Sequence, residues 1–171
     1  EEKIAEIYFT DKVKSPVHLS IGQEAIAAGA CMALTRSDVV FSNYRGHAHY
    51  IAKGGDLKSM WAELYGKANG HAGGKAGSMH LVDTSVNFMP ASAIVASAVS
   101  NAVGYGLALQ MRRAEDRVVC FHGEGAADEG VFWESLNFAA LKQVPILFIC
   151  ENNGYAIYSK QQNRMAGASI S

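Results

Sequence analysis

The firmest pattern of apolar positions lies in the second half of the chain. Val118-Val119-Cys120-Phe121 and Ile146-Leu147-Phe148-Ile149-Cys150 are unbroken apolar runs of strand length, and the 131–142 segment between them carries apolar residues at helical spacing. Strand, helix and strand in that order, both strands continuously apolar, predict a buried parallel β-α-β unit with a right-handed crossover. Residues 94–113 are rich in Ala, Val, Gly and Leu with few charges, which predicts a helix buried on most sides.

The first half is less regular. Ile4, Ile7 and Tyr8 have helical spacing within residues 1–13, with no capping residue or initiator methionine ahead of them, so the chain opens inside a helical pattern. Ser20 and Gln23 have the spacing of a capping box in front of an Ala-rich helix running to Leu34. Residues 38–41 are a short strand candidate, and residues 42–49 a polar loop. Asp56 is placed to cap a helix whose Leu57, Met60, Trp61, Leu64 and Tyr65 form one apolar stripe, read as core. Residues 66–78 hold five glycines, two lysines and a histidine, more than a connector needs. Two firm strands are few for a sheet, so this one requires further chain or a partner.

Composition narrows the class. The 171 residues have Lys+Arg 15 against Asp+Glu 16 and a formal net charge of -1, which fits a single soluble domain over 1–171 and excludes a general nucleic-acid binder. No apolar run is long enough to cross a membrane and no signal-peptide pattern opens the chain, so no membrane partner is expected. The expected location is the cytoplasm of a bacterium, or the mitochondrial matrix of a eukaryote. Cys31, Cys120 and Cys150 are far apart and read as reduced core thiols.

The candidate chemistry sits at the carboxyl ends of the two strands, where open parallel sheets bind ligands. The first strand ends at His122-Gly123-Glu124-Gly125-Ala126, the second at Glu151-Asn152-Asn153-Gly154-Tyr155. Gly123 and Gly125 let backbone approach a bulky anion, and the Gly125 and Ala126 amides lie near a helix start, where anions are favoured. Glu124 is itself an anion and repels phosphate, a conflict that a divalent cation resolves. Mg²⁺ takes oxygen ligands of this kind, with the Asn153 amide oxygen as a further donor. Neither GxxxxGK[ST] nor GxGxxG is present, because Asp128 stands where the last glycine belongs. His47, His49, His71 and His80 match no zinc spacing.

Gly123-Glu124-Gly125, 26 intervening residues and Asn152-Asn153 resemble the thiamine diphosphate motif. With Gly22-Gln23-Glu24-Ala25, Tyr44-Arg45 and Gly77-Ser78-Met79-His80 in order, the chain resembles the α subunit of two-subunit 2-oxo acid dehydrogenase E1 components of the pyruvate, branched-chain and acetoin types. The fold this implies is α/β, a parallel-sheet thiamine diphosphate-binding fold with helices on both faces, incomplete in this chain. The resemblance makes Glu124, Asn153 and the Tyr155 carbonyl Mg²⁺ ligands. Gly123, Gly125, Ala126, Tyr44 and Arg45 then meet the diphosphate, and Ala93 and Val95 the aminopyrimidine. His80 matches an active-site histidine, and Phe88 and Met89 resemble positions on the substrate side. Many relatives have Asp where this chain has Glu124, although the branched-chain type resembles it in using Glu.

The implied activity is decarboxylation of a 2-oxo acid, or cleavage of acetoin, with acyl transfer to the lipoyl group of an E2 partner. The cofactor-activating glutamate belongs to a β subunit in this family, so an α₂β₂ assembly is expected, with the Ala/Gly-rich 91–109 segment at an interface. Family α subunits are longer and continue into a loop with a second active-site histidine, so the chain reads as a partial α subunit. The alternative is a non-catalytic interaction module or fragment that keeps the fold.

Overall fold

The computed structural model describes residues 1–167, so the last four residues of the expected domain lie outside the description. The chain divides into two compact units, Glu1–Ala93 and Ile94–Ser171.

In the first unit, α1 (Glu2–Ile7) buries Ile4 and Ile7 and passes into a 3-10 turn, Tyr8–Thr10. The capping box does not form. Helix α2 (Glu24–Met32) starts at Gln23 without a side-chain cap, because the Ser20 hydroxyl donates instead to the Arg45 carbonyl at 3.1 Å. Strand β1 (Val39–Phe41) is fully buried and runs parallel to residues around Phe88, with Val40 N–H donating to Asn87 and Met89 N–H donating to Val40. The polar loop expected over 42–49 is partly helix. Helix α3 (His47–Ala52) turns His47, His49 and Tyr50 into the core, so its polar-looking start is an inward face. In α4 (Leu57–Leu64), Asp56 accepts from the Ser59 amide at 2.8 Å, a cap of about 1 kcal/mol. Met60 and Leu64 are buried as expected, but Leu57 is half exposed.

The long glycine loop is built on one buried carboxylate. Glu63 accepts backbone N–H groups from Ala72, Gly74, Ala76 and Gly77 at 2.7–3.2 Å. Burial alone would raise its pKa, and these four donors outweigh burial and lower it. Gly70 is there because a Cβ would stand 2.7 Å from the Glu63 backbone. The loop delivers Gly77 to the 3-10 turn Ser78–His80.

In the second unit, α5 (Ser97–Met111) precedes β2 (Val118–Gly123), α6 (Gly130–Lys142) and β3 (Ile146–Glu151). Strands β2 and β3 pair in parallel from Val118↔Ile146 to Gly123↔Glu151. This is the expected β-α-β unit, and the class is α/β with a parallel sheet and helices on both faces. Val103, Ala139 and Val144 form a core with Leu107, Ile146 and Phe148. A Cβ at Gly106 would stand 2.6 Å from the Val144 side chain, which explains glycine in mid-helix.

Three expectations fail here. Helix α5 buries one face only: Asn101, Gly104, Ala108 and Met111 are exposed. Strand β3 is not a buried strand, since Leu147 is 57% exposed. An apolar run reports what a strand will bury once it is flanked, and among the described residues of this unit β2 is its only neighbour. For the same reason Cys150 is exposed, while burial pushes the Cys120 thiol up to about 12. A short antiparallel hairpin, β4 (Tyr155–Ala156) and β5 (Ser159–Lys160), follows β3.

Candidate functional site

The register of β2 on β3 decides the geometry of the second unit. Gly123 pairs with Glu151, so Glu124 and Asn152-Asn153 emerge side by side from the carboxyl ends of adjacent parallel strands. Glu124 opens a 3-10 turn, Glu124–Asp128, that places the Gly125 and Ala126 amides ahead of α6. Its side chain is 1% exposed. Oε1 accepts from Arg164 Nη2 at 2.8 Å, and Oε2 has no hydrogen-bond partner among the described residues.

Asn153 is exposed, and its Oδ1 accepts from the Tyr155 amide at 2.9 Å, which fixes the side chain over the turn that carries the Tyr155 carbonyl. Above Gly123 there is open space where a Cβ would stand, whereas Gly125 is required by packing, its Cβ position lying 2.9 Å from that of Ala156. A carboxylate, an amide oxygen and a backbone carbonyl are hard oxygen donors. They fit Mg²⁺. No group of three or more His, Cys, Asp or Glu gathers as a metal site among the described residues. A lone carboxylate suits an ion that takes its remaining charged ligands from a diphosphate.

His122 lies buried beneath this loop, donating Nδ1–H to the Gly123 carbonyl at 3.1 Å and packing on Phe132. Burial pulls its pKa below the usual value, so the ring is neutral at physiological pH.

In the first unit, Arg45 is half-buried and its guanidinium donates to the Leu19 carbonyl, while its own amide donates to Asn43 at 2.8 Å. Tyr44 packs on His18, the ring centroids 4.5 Å apart. Burial, and then the positive charges of Arg45 and His47, lower the His18 pKa, a sign of electropositive surroundings. His80 lies close to Ala91, whose carbonyl accepts from Nδ1 at 3.1 Å. Because that oxygen can only accept, Nδ1 carries a proton, and this bond sets the orientation of Nε2. Phe88 is wholly buried, its ring edge-to-face with that of Tyr50 at 5.5 Å. The remaining histidines are structural: His47 bridges Glu1 and Ser78, His49 meets Ser42, and His71 pairs with Asp83 at 2.9 Å.

Ala93 ends the first unit and Val95, 43% exposed, lies at the start of the second. Ala96, which caps α5, has a left-handed backbone at φ +62°. A non-glycine residue there costs about 1 kcal/mol. Ala96→Gly is therefore expected to stabilise the fold by up to about 1 kcal/mol in thermal or urea unfolding.

Reasoning from sequence missed His18, Glu63 and Arg164, and assigned no chemistry to Asp128. Each acts through a partner distant in the chain or through the backbone, and none belongs to a motif.

The whole chain, residues 1–171, matches the family described as Dehydrogenase E1 component. It is similar to the α subunit of an acetoin:2,6-dichlorophenolindophenol oxidoreductase of Bacillus subtilis, 42% identical over 91% of this chain and 46% of that one. It is also similar to pyruvate dehydrogenase E1 α subunits. That of Zymomonas mobilis is 37% identical over 100% of this chain and 49% of the relative, and a mitochondrial one of Oryza sativa 40% identical over 88% and 39%. The chain thus spans about half or less of these relatives. A solved structure from Mycobacterium smegmatis, described as a thiamin diphosphate-dependent enzyme, shares the fold with a TM-score of 0.55 at 18% identity, over 92% of this chain and 25% of that one. Fold, ordered motifs and relatives agree: this chain belongs to the dehydrogenase E1 component family.

Proposed function

We propose that this chain is the cofactor-clamping part of an E1 α subunit. It binds Mg²⁺ and thiamine diphosphate for oxidative decarboxylation of a 2-oxo acid, or cleavage of acetoin, with acyl transfer to the lipoyl group of E2. The observation that carries the reading is a buried Glu124 at the end of β2, bonded through Oε1 to Arg164, beside Asn152-Asn153 at the paired end of β3. The relatives' names, which include E1 α subunits and an acetoin oxidoreductase α subunit, support it.

In this reading Glu124, Asn153 and the Tyr155 carbonyl hold the metal, and the metal offsets the repulsion between Glu124 and a diphosphate. Gly123, Gly125 and Ala126 leave room and amide donors for phosphate oxygens. The resemblance gives Tyr44 and Arg45 a part in holding the diphosphate, and they are a hydroxyl and a fixed positive charge of the kind such a group takes. Ala93 offers backbone and Val95 an exposed apolar side chain to the aminopyrimidine. When bound, thiamine diphosphate supplies the nucleophilic carbon and the electron sink of the reaction. His80 presents Nε2 as a proton acceptor, its other nitrogen anchored on Ala91.

The assembly in this reading is α₂β₂, with the cofactor-activating carboxylate on the β subunit. The exposed row Asn101, Gly104, Ala108 and Met111 on α5 gives a low, close-packing face to such an interface. Among the described residues no helix is long and apolar enough to cross a membrane.

The test is turnover by the full-length protein, alone and with its β partner, against pyruvate, branched-chain 2-oxo acids and acetoin with a dye as electron acceptor. The expected result is turnover of at least one substrate by the complex and none by the α chain alone. A complex that turns over none of them supports the alternative, a non-catalytic interaction module, and turnover by the α chain alone contradicts the shared site.

A further inference from the structure

We propose that Arg164 is a positioning residue of the metal clamp: it ties down one oxygen of Glu124 and leaves the other to face the cation. The inference rests on the metal reading above. Arg164 is 40 residues from Glu124 and its side chain is only 13% exposed. Nη2 donates to Glu124 Oε1 at 2.8 Å, Nη1 donates to Asp128, and Nε is buried with no hydrogen-bond partner among the described residues.

This arrangement differs from the common fork, in which two guanidinium nitrogens take both oxygens of one carboxylate. Here the fork is split between two carboxylates. A two-pronged pair would engage both oxygens of Glu124 and leave a metal only their second lone pairs. A split pair fixes the carboxylate's rotation through Oε1 and, among the described residues, puts no bond on Oε2. It also spans the first and last residues of the Glu124–Asp128 turn, so the loop that offers the Gly125 and Ala126 amides is held at both ends.

The charges agree with this division. Glu124 and Asp128 bring two negative charges and Arg164 one positive, which leaves a net negative charge for a cation. Without Arg164, the buried Glu124 would have no ion-pair partner among the described residues until the metal arrives. Lysine could supply the charge but not the flat fork whose two separate nitrogens each reach a different carboxylate.

Arg164 also closes a strap. The hairpin of β4 and β5 and the 3-10 turn Gln161–Asn163 return the chain to the Glu124 loop, with Ala156 packed where only glycine fits at position 125. The same hairpin begins with Tyr155, whose carbonyl is the third proposed ligand. One side chain therefore holds both Glu124 and the segment carrying the Tyr155 carbonyl.

The experiment measures Mg²⁺ dependence of thiamine diphosphate binding by calorimetry on the full-length protein and on Arg164→Gln, Arg164→Lys and Asp128→Asn, with the melting temperature of each without cofactor. Wild-type protein must first bind in a Mg²⁺-dependent way; if it does not, the metal reading fails and this inference with it. Given that binding, Arg164→Gln is expected to raise the Mg²⁺ concentration for half-saturation roughly 10- to 100-fold. Arg164→Lys restores part of the loss, and Asp128→Asn, which leaves the Glu124 contact, costs less. If Arg164→Gln does not fold, Arg164→Lys against Asp128→Asn carries the comparison. Variants with lowered melting temperatures but an unchanged Mg²⁺ requirement would reduce Arg164 to a structural tie and overturn the proposal. A lowered requirement would also overturn it, since Arg164 would then be competing with the metal.

Discussion

Glu124→Ala is expected to abolish Mg²⁺-dependent thiamine diphosphate binding at concentrations that saturate the wild type. Two effects combine. The variant removes the only carboxylate proposed to hold the metal, and it leaves the guanidinium of Arg164, itself 13% exposed, with Asp128 as its one remaining ion-pair partner among the described residues. Removing one member of a buried charged pair costs about 3–5 kcal/mol of stability, read as a lowered melting temperature, while the loss of binding follows from the missing metal ligand. Glu124→Gln separates the effects: it keeps the volume and an oxygen for Arg164 but withdraws the charge. Calorimetry on both variants, with melting temperatures as a folding control, is the check. Retained tight binding by a folded Glu124→Gln protein would count against charge as the basis of the clamp.

The second large effect is expected on stability. Glu63→Ala strips the acceptor from four backbone N–H groups of the glycine loop, each of which then requires water or stays unpaired. Each buried donor left unsatisfied costs about 1–3 kcal/mol, so the sum is at least about 4 kcal/mol. That is a large part of a typical domain's 5–15 kcal/mol. Glu63→Gln does little better, because its NH₂ group faces amide donors. The expected readouts are a lowered melting temperature and new proteolytic cleavage between residues 66 and 77. Since the loop leads directly to Ser78 and His80, cofactor binding is expected to weaken alongside. An unchanged melting temperature for Glu63→Ala would mean that the loop is held by other contacts.

Why some of this was readable in the sequence and some was not follows from the range of the interactions. The β2-α6-β3 unit was legible because periodicity and continuous apolar runs are local signals, and register then carried Glu124 and Asn153 to one sheet end without further information. Asp56 was legible for the same reason, its cap acting three residues away. Ser20 shows the limit of such local rules. Its spacing fits a capping box, yet its hydroxyl is claimed by the carbonyl of Arg45, 25 residues on. Helix α3 went unread because buried histidines look polar in a sequence; His47 is inward-facing only because Glu1 and Ser78 meet its two nitrogens. Glu63 left no trace, since its partners are backbone amides that every residue possesses. Arg164 is hidden in the same way, identifiable as part of the site only once the hairpin has brought it back to Glu124.

The central claim is that the paired ends of β2 and β3 form a metal-diphosphate clamp. It is tested most directly by titrating thiamine diphosphate into the full-length wild-type protein with Mg²⁺ and again with the divalent cation removed by chelation. The account predicts saturable binding with Mg²⁺ and its loss on chelation, restored when Mg²⁺ is added back. Binding of equal strength in both titrations, or none in either, would contradict it.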